Sequence, residues 1–95
     1  MVTAILIGEA TSTVLDFIPN PTNAITSLVI TTANTQPVVV SIYDIVGKQV
    51  RVDTRELNKG GNKIDFDLSN LAAGTYTATI VTGNEVFSRK IIITK

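Results

Sequence analysis

Cysteine, histidine and tryptophan are all absent from this chain. Without cysteine or histidine it has no disulfides, no thiolate or imidazole metal ligands, no Cys/His nucleophile pair and no Ser/His triad. The chemistry left to it rests on carboxylates, hydroxyls and glycine-rich loops. A lack of cysteine suits an exported module and a cytosolic one alike, so it sets no compartment. Charge of one sign is missing too: 8 basic residues face 8 acidic ones, with no run of either. That balance excludes the basic footprint of a nucleic-acid binder and the polybasic segment of a membrane-surface protein. No apolar run is long enough to span a bilayer. Residues 1–7 lack the charged start and long apolar middle of a signal peptide, so an exported natural protein would contain this chain as a fragment. Helical periodicity is absent throughout.

What remains is a 95-residue chain, 44% hydrophobic, with many threonines. A chain of this length forms one domain that removes about 60% of its unfolded surface from water. The stretch around which the rest is organised is residues 68–80. Before it Ile64, Phe66 and Leu68 alternate with Lys63, Asp65 and Asp67; after it Tyr76, Ala78 and Ile80 alternate with threonines. Both runs have the period of two expected of half-buried strands. Between them Leu71, Ala72, Ala73, Gly74 and Thr75 make a turn. A Leu, then Gly, then Tyr heading the next strand fits a tyrosine corner, in which the phenolic OH bonds back to the corner backbone. Tyr76 is therefore read as structural.

Taken in order, residues 2–7 are β-rich and apolar on both faces, with no hairpin partner nearby. They are expected to add to a sheet edge, so that two copies form a homodimer by strand addition or exchange. Gly8, Glu9, Ala10, Thr11, Ser12 and Thr13 form a small, polar interval. Residues 1–13 are thus an upstream segment and linker, and residues 14–95 the domain. Its strands are expected at 14–18, ended by Pro19, Asn20 and Pro21, and at 24–32, with Leu28 and Ile30 on one face. A turn at 34–37 follows, then the strongest strand at 38–45, with Val40 and Ile42 inward. Asp44, Ile45, Val46 and Gly47 read as a type I hairpin turn whose left-handed residue is Gly47. Residues 48–52 return, and the polar stretch 53–62 makes a longer connection across to the Ile64 strand. Gly83 and Asn84 mark a two-residue hairpin before a final strand at 86–94. Three consecutive isoleucines, Ile91, Ile92 and Ile93, place apolar groups on both faces of that strand. The pattern predicts an all-β, immunoglobulin-like antiparallel sandwich of about seven strands.

Candidate chemistry is weak at every position. Asp65 and Asp67 share a strand face, as a paired-carboxylate site would need, but alternation with core residues makes that face solvated. Asp65, Asp67 and Ser69 also open like a calcium loop, yet Asn70 stands where glycine is needed and Tyr76 where glutamate is needed. Gly47 and Lys48 resemble the end of a phosphate loop, but Ile42 occupies its first glycine position. Gly60 and Gly61 are too short a pair to cradle a ligand. Two tyrosines and no tryptophan make a poor sugar-stacking surface. No cofactor, no metal and no catalytic residue is predicted.

From residue 17 to 95 the chain resembles the type A C-terminal sorting domain of the Bacteroidetes type IX secretion system. The resemblance is carried by Pro19, Asn20, Pro21 and Thr22, by residues 41–48 (Ser, Ile, Tyr, Asp, Ile, Val, Gly, Lys), by residues 62–76 and by residues 88–95 ending on Lys95. Phe17 and Ile18 replace the usual Tyr before Pro-Asn-Pro. The resemblance implies a delivery label on a larger cargo protein, exported through the periplasm to the cell surface or medium. It implies as partners a translocon, a shuttle and a sortase, with cleavage by the sortase near residues 8–13. Recognition candidates are Gly47, Lys48, Gly74, Tyr76, Lys90 and Lys95, together with the exposed ladder of the last strand. Two rival readings are a structural or adhesive immunoglobulin-like module from a repeat array and a small-ligand module.

Overall fold

The computed structural model describes residues 12–95. Seven strands account for most of them: β1 (Ser12–Ile18), β2 (Ile25–Thr32), β3 (Gln36–Tyr43), β4 (Gln49–Leu57), β5 (Gly60–Asp67), β6 (Gly74–Thr82) and β7 (Glu85–Ile93). All ladders between them are antiparallel, and no helix occurs among the described residues. They form a sandwich of a three-stranded sheet, β1-β2-β5, and a four-stranded sheet, β4-β3-β6-β7. The immunoglobulin-like sandwich expected from turn spacing is the observed architecture.

The period of two becomes the core directly. Leu28 and Ile30 of β2, Ile64 and Phe66 of β5, Val38, Val40 and Ile42 of β3, Ala78 and Ile80 of β6, and Ile91 and Ile93 of β7 all point between the sheets and are buried. Phe17 and Phe66 meet there with ring centroids 5.7 Å apart, tilted by 60°. Each large side chain so buried contributes about 1.5–3 kcal/mol relative to exposure. Of the isoleucine triplet, Ile91 and Ile93 lie in the core, while Ile92 faces outward.

Besides shifts of one or two residues at other ends, strand boundaries differ from the sequence expectation in three informative places. β1 begins at Ser12, two residues early, because Ser12 and Thr13 pair with Thr32 and Thr31 and the Ser12 hydroxyl joins a buried polar knot. In that knot the Gln36 amide donates to Thr32 Oγ1 at 2.8 Å and to Ser12 Oγ at 3.1 Å. Hydroxyls that satisfy one another can be buried, so a polar residue did not mark a linker here. Pro37 lies inside β3, at a position where β4 is already a neighbour but β6 pairing has not begun. The third difference is the largest. Residues 53–57 continue β4 through full pairing with β3, and only Asn58 and Lys59 connect to β5. Arg51 and Asp53 lie opposite the core residues Ile42 and Val40, so the strand's inward side is charged. These charges pair with each other at 3.0 Å, and the Arg51 guanidinium lies 5.7 Å from the Phe66 ring centroid. Charges turned inward on an edge strand hide its strand character from a hydrophobic pattern. Residues 2–7, expected to add to a sheet edge, lie outside the described residues.

A candidate recognition pole

The registers sort the turns onto two poles. One carries the β1–β2 loop (residues 19–24), the β3–β4 turn (44–48), the β5–β6 corner (68–73) and the end of β7. The opposite pole carries the start of β1, the β2–β3 turn, the Asn58–Lys59 connection and the β6–β7 turn. Every stretch that carries the family resemblance reaches the first pole.

The β3–β4 turn is built by Asp44. Its carboxylate accepts from the N–H of Val46 at 3.0 Å and of Lys48 at 2.9 Å, while its carbonyl accepts from Gly47 N–H at 3.0 Å. Gly47 has φ 91°, which a side chain disfavours, so glycine is required there. The Lys48 side chain is exposed, and no carboxylate among the described residues forms an ion pair with it.

At the corner the Tyr76 hydroxyl donates to the Ala72 carbonyl at 2.6 Å, as a tyrosine corner requires. Gly74 opens β6 without a positive φ, and a Cβ there would meet only Tyr76 Cε1 at 3.8 Å, an ordinary contact. The fold therefore does not demand glycine at 74. Lys95 reaches back to this corner, its Nζ donating to Ser69 O at 2.7 Å. Lys90 lies on the outer face of β7, opposite Thr77.

The expectation of an exposed ladder on the last strand needs correction. Asn20 and Thr22 cover the free edge of β7 over its final third. The Asn20 amide donates to Lys90 O at 2.7 Å and its carbonyl accepts from Ile92 N–H at 2.9 Å. Thr22 N–H donates to Ile92 O at 2.9 Å, and Thr22 O accepts from Thr94 N–H at 2.8 Å. Prolines 19 and 21 flank Asn20 and offer no N–H to the edge, and the Asn20 side-chain amide supplies both a donor and an acceptor to the β7 backbone. That amide acts as a substitute peptide group. Pro-Asn-Pro read in sequence as a stop signal; it is also an edge plug, a function that depends on a strand 70 residues away.

Two carboxylates of β5 are shifted by their neighbours. The Asp65 carboxyl is held below its ordinary range, chiefly by the Ser27 hydroxyl that donates to it and then by the Lys63 charge. The Asp67 carboxyl is lowered by the Ser69 hydroxyl and backbone N–H, with Arg51 and Lys95 adding to it. Both are exposed, as expected of a solvated face. No grouping of acidic side chains able to hold a metal occurs among the described residues. A polar cleft of about 420 Å³ opens between β4 and β5, lined by Arg55, Asn58, Asn62, Lys63 and Asp65 among others, and contains no nucleophile paired with a base. Of the cleavage interval, residues 8–11 lie outside the described residues, and Ser12 and Thr13 belong to β1.

A scan against protein families matches residues 16–94 to the family described as the secretion system C-terminal sorting domain. No curated protein matches the chain.

Proposed function

The chain belongs to the type IX secretion C-terminal sorting domain family, and from that premise we propose that the domain is read as a folded label and carries a cargo protein through the periplasm and across the outer membrane. As a member it is a sorting signal, a non-catalytic tag that directs export toward the cell surface or medium and engages the type IX machinery. The observation behind the finer reading is the gathering of Gly47, Lys48, Gly74, Tyr76, Lys90 and Lys95 near one pole, while β1 enters from the other. Cargo joined upstream of Ser12 then leaves the recognition pole clear for translocon and shuttle proteins. A sortase would cut upstream of the paired strand, within residues 8–11, since a protease cleft takes extended chain and not a strand held in a ladder. The domain has no enzymatic activity of its own in this reading. Residues 2–7 would promote a homodimer by strand addition, because β4, β5 and β1 each have a strand on one side only. Light scattering at high concentration on chains with and without residues 1–11 tests that point, and equal monomer masses would end it.

The test of function is a periplasm-targeted carrier fused to residues 8–95 in a Bacteroidetes host, with the carrier assayed in periplasm, cell surface and medium. Export is expected, and the exported carrier should have lost mass if a sortase acts. Deleting residues 91–95 should abolish export, since Ile91 and Ile93 are core residues. Lys95→Ala removes one exposed hydrogen bond and should do less harm. Retention of the intact fusion in a host that exports its own labelled proteins would favour the structural or adhesive module instead.

A further inference from the structure

Among the described turns, only the one between β3 and β4 presents two large aliphatic side chains to solvent. Ile45 is 79% exposed and Val46 is 82% exposed. The other connections expose asparagine, threonine, serine, lysine, glycine, proline or alanine, and the two leucines of the 68–73 corner are buried or half-buried. The turn does not need these aliphatic groups. Its shape comes from the Asp44 carboxylate, the Asp44 carbonyl and the left-handed Gly47, all acting through backbone groups of residues 46–48. Type I turns accept most residues at their two central positions. Water-exposed isoleucine and valine at a tip therefore have no fold role, and an exposed apolar pair is the informative case at a surface.

We propose that Ile45 and Val46, with Lys48 beside them, form a preformed plug that enters an apolar pocket rimmed by carboxylates on a protein of the type IX export machinery. This rests on the sorting reading and specifies its contact. Both side chains are β-branched and stiff, so seating them loses little rotamer freedom. The turn that carries them is already ordered by four hydrogen bonds, so little ordering cost is left for binding. A small, central, fully desolvated anchor surrounded by weaker contacts is how most interface energy is distributed. Lys48, unpaired within the described residues, is placed to meet an acidic rim, which steers the approach. The plug projects from the pole opposite the start of β1, where cargo does not obstruct it.

The experiment is the carrier export assay, run beside thermal melting of each purified domain. The double variant Ile45→Ser with Val46→Ser should melt like the parent and export at least tenfold less. Ile45→Val with Val46→Ile, which keeps both groups apolar and branched, should export normally. Val86→Ser removes a 66% exposed aliphatic from the other pole and should also export normally. Lys48→Glu should lower export less than the double serine variant does. Normal export of the double serine variant overturns the plug alone, whereas retention of the parent fusion removes the sorting reading and the plug with it. A loss in Val86→Ser as large as in the double variant overturns the plug by showing a general demand for surface apolarity. Flotation with vesicles of phosphatidylethanolamine and lipopolysaccharide separates a lipid from a protein partner. No flotation is expected, and flotation abolished by the two serines would assign the tip to a membrane surface and overturn the pocket.

Discussion

The two poles of this sandwich are closed by different means. At the pole where β1 begins, closure is inward: Ser12, Thr32 and Gln36 satisfy one another between the strands, and the β6–β7 turn is two residues long. At the other pole, the ties lie on the surface. Asn20 holds β7, Lys95 reaches the 68–73 corner, and Arg51 donates to Asp67 O at 2.6 Å. One pole thus spends its polar groups on sealing the fold. The other ties four segments that are remote in sequence into one surface and leaves aliphatic and cationic side chains outside it. A label read only when folded gains from such a surface, because it exists only after the last strand has docked.

A change in the shared core should erase the contrast. Ile42→Ala is expected to destabilise the domain by about 2–5 kcal/mol through lost burial and the cavity left behind. Denaturant melts should show a lower midpoint, and export should fall with it. A midpoint equal to the parent's would remove Ile42 from the core.

Matched glycine substitutions sharpen the contrast. Gly47→Ala, at φ 91°, should cost about 1–2 kcal/mol without altering the core. Gly83→Ala lies at φ 60°, nearer the left-handed basin that other residues reach, although its Cβ would stand 3.1 Å from Gln36 Oε1. It should cost less than Gly47→Ala, unless the Gln36 side chain cannot move aside. Export corrected for stability should change only in the first variant, and an equal corrected loss in both would dissolve the difference between the poles.

The edge plug gives a smaller, more local effect. Asn20→Ala removes two hydrogen bonds from β7 at a net cost of about 1–3 kcal/mol. Amide exchange should quicken at Ile92 and Thr94 and stay unchanged at residues of the opposite pole. Asn20→Asp keeps the acceptor for Ile92 N–H but loses the donor to Lys90 O, and should fall between. Uniform acceleration along the chain would show that Asn20 supports global stability and not one edge.

The acidic pair should matter least. Folding lowers the carboxyls of Asp65 and Asp67, so their contribution is complete above the unfolded value of about 3.9 and is lost as pH falls through the folded values. Both are exposed, so the effect is small and screened by salt. Replacing both with Asn should flatten the acid limb of melting temperature against pH and leave export intact. Lost export would move the reading surface onto the outer face of β5.

Alternation identified β2, β5 and β6, since large apolar residues recur on their inward faces at a period of two, while β-rich apolar runs marked β3 and the end of β7. Turn chemistry identified the Asp44–Gly47 and Gly83–Asn84 hairpins, because backbone shape at a turn depends on the residues in it. Both are local properties, which is why a linear reading finds them. The tail of β4 escaped because its first inward residue is Asp53, whose cost is met by Arg51, itself held against the Phe66 ring and Asp67 carbonyl of the facing sheet. The start of β1 escaped because a buried serine is acceptable only beside Thr32 and Gln36.

What the chain determined by itself is therefore the sandwich, its core and the absence of cysteine and histidine chemistry. Tertiary structure decided which edges stay open, which motif residues meet and which are left exposed. Asn20 beside Ile92 and Lys95 beside Ser69 are long-range pairings. No periodicity encodes such contacts, because their energy depends on where strands from both ends of the chain come to rest.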